Sequence, residues 1–315
     1  MYFYGNPFLM MCFFFSIFGN ILSVSSMSWI GLWLGMELNL FGFLILTNPE
    51  GYSVVQSSIV YFVIQSAGSM ILLFGFILVF GLKIDLGMLF IVISLLMKSG
   101  MFPFHSWVVS VVGCSSWVVM GMVLTWQKFS PFVFFSFFPD SYIVYTSIIC
   151  MCVVGCLGGL NQNSVRLMAV YSSFVHNSWL LVGVLGSFSS FIIYFLVYSI
   201  GLIFFFFSCF LSSKCTLNSY LVSLMSGMSL LVLSGVPPFI GFFSKMIIFL
   251  VNPCILLIFC ILCSVVSLKF YLTFFYSMMM SSYLVDSGST IYNFVLMVFC
   301  FVNAFFISVI VAFLN

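Results

Sequence analysis

Uninterrupted apolar runs follow one another along almost the whole chain, and short polar stretches separate them. About 20 mostly apolar residues form a helix that crosses the roughly 30 Å of hydrocarbon in a membrane. Only 4% of the 315 residues are charged, whereas a soluble domain averages about 25%. Seven Lys and Arg with five Asp and Glu cannot cover the surface of a globular protein of this length. Most of the chain must therefore face lipid or other membrane helices.

Breaks in hydropathy divide the chain into about eleven spans. Backbone groups in lipid must be hydrogen-bonded within their own segment, and the runs do not alternate polar and apolar residues as barrel strands do, so we predict helices. The predicted spans are 3–25, 28–47, 55–80, 86–107, 112–137, 142–161, 166–186, 190–212, 221–250, 253–280 and 291–313. Because every connection is short, we expect an all-α polytopic membrane protein with a single transmembrane domain over residues 1–315.

The distribution of charge and cysteine excludes several functions. The net charge is +2 and no basic run occurs, so the usual features of nucleic-acid binding are missing. No Lys or Arg precedes the first apolar run, which argues against a cleaved signal or presequence. The cysteines lie inside apolar runs without a partnering His, so we expect packing residues and no metal site. Two groups stand out, Cys150, Cys152 and Cys156 in one run and Cys254, Cys260 and Cys263 in another.

Two of the predicted spans should be discontinuous helices. In the span 86–107, Lys98 is followed by Gly100 and Pro103, and in the span 221–250, Gly235 is followed by two prolines. Proline removes a backbone donor and clashes with the preceding turn. Irregular backbone at membrane depth is tolerated only inside protein or along a wet cavity, and paired broken helices indicate a transport site. A simple proline kink without a further role is the alternative for each.

Several charged residues lie within the spans, although a charge at the centre of a membrane helix costs about 2.5–3.5 kcal/mol. These are Glu37, Lys98, Lys128 and Lys245, with Lys269 as a fifth candidate. Intramembrane ionisable residues are functional candidates by default. The alternatives are a structural ion pair or, above all for Lys269 near a predicted span end, a side chain that extends to the interface. The other charged residues are expected in loops, namely Glu50, Lys83, Asp85, Asp140, Arg166, Lys214 and Asp286.

Buried lysines next to a carboxylate can act as proton carriers. A lysine in water has a pKa near about 10.4, and burial can lower it by up to about 3–5 units, which permits proton release at neutral pH. A series of Glu and Lys side chains would thus form coupled switches. His105 and His176 are each either a proton relay or a polar side chain bonded to an adjacent helix. Arg166 and Lys214 are expected on one side of the membrane and Lys83 on the other, and the positive-inside rule then slightly favours an N-terminus on the inside.

Five stretches in this order resemble the subunit 2 family of animal mitochondrial NADH dehydrogenase, an antiporter-like membrane-arm subunit of complex I. They are 33–40 (WLGMELNL), 98–107 (KSGMFPFHSW), 124–131 (LTWQKFSP), 158–166 (GGLNQNSVR) with the following 171–173 (YSS), and 233–245 (LSGVPPFIGFFSK). The chain departs from the family pattern at Val109 and Ser110, at Leu167 and at Ser244. After about residue 253 no motif matches, and hydropathy alone supports the prediction.

The resemblance implies a subunit that takes part in proton translocation, with NADH oxidation and quinone reduction elsewhere in the complex. It implies Glu37 and Lys98 as a coupled pair, Lys128 as a central relay and Lys245 toward the exit. It implies no cofactor in this chain, since flavin, iron–sulfur clusters and ubiquinone belong to other parts of the complex. The implied partners are neighbouring antiporter-like and small membrane subunits, with lipids and without nucleic acid. A stand-alone cation/proton antiporter and a structural spacer that no longer pumps remain alternatives.

Overall fold

The chain forms a series of α-helices in both of its compact units. The computed structural model describes residues 7–47, 52–137, 142–214, 220–252, 254–282 and Asn303. The described helices are α1 (Pro7–Ser25), α2 (Trp29–Leu46), α3 (Tyr52–Phe76), α4 (Leu86–Ser99), α5 (Ser106–Cys114), α6 (Trp117–Leu124), α7 (Trp126–Phe135), α8 (Tyr142–Leu160), α9 (Val165–Gly186), α10 (Phe188–Lys214), α11 (Tyr220–Ser234), α12 (Ile240–Val251) and α13 (Ile255–Ser282). The units comprise Met1–Met151 and Cys152–Asn315.

The predicted all-α membrane architecture is confirmed. Among the described residues, eight helical segments are long and apolar enough to cross a membrane, and shorter apolar helices flank two breaks. If each interrupted pair, α4 with α5 and α11 with α12, counts as one crossing, the described residues contain ten of the predicted spans. The eleventh, 291–313, lies outside the described residues except for Asn303. The single transmembrane domain stays a prediction.

In the first unit, α1 and α2 pack with their backbones in contact. A Cβ atom at Gly19 would lie 2.5 Å from the backbone nitrogen of Asn39, and one at Gly35 would lie 2.5 Å from that of Ser23. Small residues at such positions let membrane helices approach closely, because packing rather than the hydrophobic effect drives their association. This close approach fixes the face of α2 that carries Glu37.

The break after α4 is a true interruption of the helix. α4 ends at Ser99, Gly100 adopts the left-handed conformation with φ of 68°, and α5 begins at Ser106. The predicted boundary between residues 107 and 112 is wrong, because α5 continues to Cys114 and the connection falls at Ser115 and Ser116. The apolar run of α5 resembles the end of one span and the start of the next, so hydropathy alone could not separate them.

In the second unit, α9 is the most buried long helix among those described, since 89% of the residues in its apolar stretch are buried. Glycines on α8 permit close packing, since a Cβ atom at Gly155 would lie 2.8 Å from a methyl carbon of Val175. α11 ends at Ser234, Gly235 has φ of 73°, and α12 begins at Ile240. The second predicted discontinuous helix is therefore confirmed, and its break has buried ends at Ser234 and Ile240 with exposed prolines between them.

Candidate proton-transfer sites

The side chain of Lys98 lies at the broken end of α4, where two neighbouring side chains bind the free carbonyl groups. The last carbonyls of a helix have no intrahelical partner, and in a membrane such groups need another donor. The indole of Trp107 donates to the carbonyl of Met97 at 3.2 Å, and the amide of Gln65 donates to the carbonyl of Lys98 at 3.3 Å. These two hydrogen bonds stabilise the break, and Lys98 itself is only 6% exposed.

The structure brings Lys98 and Glu37 together in the first unit. Nζ of Lys98 lies 3.6 Å from Sδ of Met36 on α2. The carboxyl group of the adjacent Glu37 acts electrostatically on Lys98 and on the phenol of Tyr61. Oε1 of Glu37 is buried and has no hydrogen-bond partner among the described residues. α2 therefore contributes both the Met36 contact and the Glu37 carboxyl group to the surroundings of Lys98.

A third interruption, which the sequence analysis missed, precedes Lys128. α6 ends at Leu124, Thr125 has φ of −117° and ψ of −76°, and α7 begins at Trp126. The hydroxyl of Thr125 donates to the carbonyl of Gly121 at 2.7 Å. Lys128 follows in the first turn of α7 and is 2% exposed, so its charge lies in the protein interior and not at a lipid surface.

Amide side chains connect the helix of Lys128 to the helix of Glu37. Asn39 on α2 and Gln127 on α7 exchange two hydrogen bonds, at 2.7 and 3.0 Å. The phenol of Tyr61 on α3 donates to the same Gln127 oxygen at 3.4 Å. Asn39 lies two residues from Glu37, and Gln127 directly precedes Lys128. This pair therefore sets the register between the two charged residues.

A second amide fixes the start of α7 from the other side. The side-chain amide of Asn20 on α1 donates to the carbonyl of Trp126 at 2.7 Å, and its oxygen accepts from the hydroxyl of Ser130 at 3.1 Å. The indole of Trp126 in turn donates to the carbonyl of Ser16 at 3.2 Å. The interrupted helix next to Lys128 is thus held by side chains of α1 as well as of α2.

In the second unit, Lys245 reaches back across the break between α11 and α12. Its Nζ donates to the carbonyl of Ser234, the last residue of α11, at 2.9 Å. The C-terminal end of a helix carries a partial negative charge, so the free carbonyl is a suitable partner for an ammonium group. Nζ also lies 5.8 Å from the ring centroid of Trp179 on α9, within the range of a cation–π interaction.

His176 lies on α9 between hydroxyl groups of two other helices. Its Nδ1 is 2.7 Å from the phenol oxygen of Tyr194 on α10, and its Nε2 is 3.1 Å from that of Tyr271 on α13. The ring of Tyr198 lies 4.8 Å from the imidazole, centroid to centroid. His176 and Lys245 line the same cavity of about 10 Å³, which is at the lower limit for one water molecule.

His105 lies in the first break and stacks on Phe102, with ring centroids 5.9 Å apart. Its relay role stays a prediction. Of the charged residues predicted in loops, Lys83 and Asp85 are exposed between α3 and α4, as predicted. Arg166 is instead the second residue of α9, and Lys214 is the last residue of α10. The predictions for Glu50, Asp140 and Asp286 fall outside the described residues.

The position of Lys269 differs from its prediction. It is exposed, and it is the fifteenth of the 28 residues of α13. The expected location near the end of a span is therefore wrong, because the apolar run continues as regular helix well beyond it.

Cysteines from the two apolar groups meet in the second unit. Sγ of Cys152 on α8 is 3.6 Å from Sγ of Cys260 on α13, and it is 2.9 Å from the hydroxyl of Ser178. The cysteines were expected to be packing residues, and helix packing brings members of the two groups together. Within the described part of the chain, no group of three or more His, Cys, Asp or Glu side chains is arranged to hold a metal ion.

Several site residues could not be found from the motifs alone. An amide side chain in an apolar helix has a desolvation cost and needs a hydrogen-bond partner. This feature marks four further residues, namely Asn20, Asn39, Gln65 and Gln127. Tyr194 and Tyr271 carried no such signal, because tyrosine is common in membrane helices. Their role depends on which helices lie beside His176.

The fold is shared with subunits of large membrane complexes. A chain in respiratory complex I from Thermus thermophilus matches with a TM-score of 0.79 and 19% identity, covering 90% of this chain and 72% of that one. A chain of an archaeal membrane-bound sulfane sulfur reductase gives 0.81 and 16%, covering 94% and 72%. The family model "NADH:quinone oxidoreductase/Mrp antiporter, TM" matches residues 26–87 and 81–273. The chain is thus an antiporter-like multi-pass membrane protein.

Sequence comparison matches this chain to proteins of one name. NADH-ubiquinone oxidoreductase chain 2 of Mytilus edulis is 47% identical over 272 residues, which cover 86% of each chain. The protein of the same name from Anopheles gambiae is 33% identical over 311 residues, covering 92% of this chain and 90% of that one. This chain belongs to the NADH-ubiquinone oxidoreductase chain 2 family.

Proposed function

We propose that this chain is a core membrane-arm subunit of mitochondrial respiratory complex I, an NADH:ubiquinone oxidoreductase, and that it takes part in proton translocation. The observation that carries the proposal is the environment of Lys245. The end of α11 at the break presents the carbonyl of the buried Ser234 to its ammonium group, beside a cavity shared with His176. A charge that served packing alone would be replaced at no cost by an apolar residue. A site that alternately holds and releases a proton requires it.

In the first unit, Glu37, Lys98 and Lys128 are the proposed carriers. A proton on Lys98 is stabilised by a charged Glu37, and protonation of Glu37 removes that stabilisation, so the two groups exchange protons in a coupled manner. Lys128 is 2% exposed and lies in the first turn of α7, inside the first unit. The amide pair of Asn39 and Gln127 holds α2 and α7 in register while these charges change.

In the second unit, Lys245 and His176 are the proposed carriers. A neutral imidazole donates from one nitrogen and accepts at the other, whereas a protonated one donates from both. Because a tyrosine hydroxyl can both donate and accept, Tyr194 and Tyr271 can partner His176 in either state. His176 can therefore take up and return a proton without losing a hydrogen bond, and one water in the shared cavity would link it to Lys245.

The proposal places the remaining chemistry of the complex outside this chain. Electron transfer from NADH to ubiquinone, with its flavin and iron–sulfur clusters, would occur in other subunits. The chain would lie in the mitochondrial inner membrane with its N-terminus on the matrix side, in contact with neighbouring antiporter-like and small membrane subunits and with lipids. Nucleic acid would not be a partner.

Native electrophoresis of mildly solubilised inner membranes tests membership of the complex. We expect peptides of this chain, identified by mass spectrometry, in the band that oxidises NADH in the gel. If the chain instead migrates alone or as a small oligomer, a stand-alone antiporter is the better interpretation, and cation-driven proton exchange in liposomes becomes the decisive assay.

Replacement of Lys128 by Met tests proton transfer. Methionine is unbranched, is one atom shorter than lysine and carries no charge, so we expect normal assembly and NADH oxidation with loss of the protons that pass through this subunit. The measurement is the number of protons pumped per NADH in sealed vesicles. Lys83→Met, at an exposed loop position, is the control and should pump normally. Unchanged stoichiometry in Lys128→Met would contradict the assignment, and a structural spacer would then explain the chain better.

A further inference from the structure

Lys269 is a cation on an exposed face in the middle of a long apolar helix. α13 contains 28 residues, which correspond to about 42 Å, so Lys269 has about 20 Å of helix on either side. The hydrocarbon core of a bilayer is about 30 Å thick. Residues one and two turns away on the same face are also exposed, among them Leu262, Val265 and Tyr276. Because about 20 Å of helix lies on either side, the side chain of Lys269 is too short to bring its ammonium group to water at either end of the helix.

The direction of the Lys269 side chain also matters, because it determines which residues of α13 the ammonium group lies beside. Long side chains in an α-helix point back toward its N-terminus. An extended Lys269 side chain is thus directed along the exposed, apolar surface of Leu262 and Val265.

The second unit does not supply a counter-charge at this depth. Its sequence contains one acidic residue, Asp286, which follows the C-terminal end of α13 at Ser282. Some 13 residues of helix, about 20 Å, separate that end from Lys269. The predicted last span, 291–313, contains no Asp or Glu. Among the described residues of this unit, none can pair with Lys269 as a carboxylate.

We propose that the exposed face of α13 formed by Leu262, Val265, Lys269, Thr273 and Tyr276 is the docking surface for a transmembrane helix of another subunit, and that this helix carries an Asp or Glu that pairs with Lys269. Intramembrane charges pair with one another or line cavities. The flanking apolar residues provide the packing surface, and the charge fixes depth and register. The inference rests on the proposed membership of a multisubunit complex, which supplies the neighbouring helix.

Charge substitutions test this interface in the assembled complex. Lys269→Met makes α13 more apolar, so insertion of the chain cannot suffer, but the carboxylate of the partner loses its counter-ion within the membrane. We expect the fraction of the chain found in the NADH-oxidising band to fall roughly tenfold or more. Lys269→Arg should restore assembly, and Ile203→Met, at an exposed apolar position on α10, should leave it unchanged. A lysine that faced lipid would give the opposite result, with assembly of Lys269→Met equal to or better than that of the unmodified chain.

A membrane-soluble carbodiimide applied to the native complex identifies the partner. The carbodiimide adds to a carboxyl group and forms an O-acylisourea. The Lys269 amine then attacks the acyl carbon to form an amide, and the reagent leaves as a urea that has taken up the elements of water. Mass spectrometry should recover a Lys269 peptide joined to an acidic residue in a transmembrane segment of another subunit. Linkage to a carboxylate of the same chain would overturn the proposal. Where no linked peptide is recovered, the result for Lys269→Met decides.

The two proposals fail in different ways. If membership of the complex is wrong, the unmodified chain itself is missing from the NADH-oxidising band. If only the interface is wrong, the unmodified chain is present and Lys269→Met is present at the same level.

Discussion

At the scale of single residues, the site at Lys245 depends on a residue without a side chain. Gly235 has φ of 73°, and a Cβ atom there would lie 2.8 Å from Nζ and 3.1 Å from Cε of Lys245. The left-handed conformation ends α11, and the missing Cβ leaves the space through which the lysine reaches the Ser234 carbonyl. One glycine thus serves both the break and the position of the charge.

We therefore expect Gly235→Ala to impair proton pumping about as much as Lys245→Ala. The strained backbone costs about 1–2 kcal/mol for a non-glycine residue, and the added methyl group displaces the ammonium group from its carbonyl partner. Protons pumped per NADH should fall in both variants, while NADH oxidation persists. Gly81→Ala is the control, because a Cβ atom there would contact Ile77 at an ordinary 3.8 Å. Normal pumping by Gly235→Ala would show that Lys245 works without this geometry.

The sequence predicts the charged site residues better than it predicts their partners. Lys98 and Lys128 are recognisable because a charge inside an apolar run is costly and therefore needs a reason. The tyrosines around His176 are not recognisable, since Tyr194 and Tyr271 lie 18 and 95 residues away from it in the chain. Their proximity is a property of helix packing, which periodicity within a single span does not contain.

At the scale of helices, the interruptions differ in how they are encoded. Gly100 and Gly235, each followed by proline, predict their breaks directly. The break at Thr125 has no glycine or proline beside it, and Pro131 lies six residues further on. Its stability comes from tertiary contacts, namely the Asn20 amide on the Trp126 carbonyl and the side-chain pair that joins Gln127 to α2. A break held by other helices cannot be predicted from local sequence.

A double-mutant cycle tests whether the amide pair joins α2 and α7. Asn39→Leu or Gln127→Leu alone leaves the side-chain N–H group of the remaining amide without its acceptor, which costs about 1–3 kcal/mol. The double variant removes both amides, so its loss of unfolding free energy should be smaller than the sum of the single losses by about 0.5–2 kcal/mol. Thermal denaturation of the purified complex provides the measurement.

The matched control for this cycle pairs Asn39→Leu with Ser66→Ala. Ser66 bonds within its own helix, to the carbonyl of Val63, so its effect should add to that of Asn39→Leu within about 0.5 kcal/mol. Additivity for Asn39 with Gln127 as well would mean that the two amides do not act as a pair. The double variant could regain the unfolding free energy that the single variants lose and still not pump protons. That result would show that the register of α2 and α7, which the amide pair sets, serves proton transfer.

At the scale of the whole chain, hydropathy predicts the ten crossings that lie within the described residues, because insertion into lipid depends mainly on the summed apolarity of each segment. It predicts less well where one crossing ends and the next begins. α5 and α6 are both short and apolar, and two serines, Ser115 and Ser116, are the connection between them. The boundary follows from the break after α4, which shifts the remaining part of that span toward Cys114.

The topology of the first unit can be measured at two exposed positions. If α4 and α5 together make one crossing, Lys83 before α4 and Cys114 after α5 lie on opposite faces of the membrane; both are exposed. With the N-terminus in the matrix, a membrane-impermeant maleimide should label Lys83→Cys in intact mitoplasts and Cys114 only after the inner membrane is opened. Buried Cys12 should stay unlabelled, and mass spectrometry locates each label. Exchanged sides would reverse the orientation, whereas labelling of both from one side would mean that the interrupted span turns back without crossing.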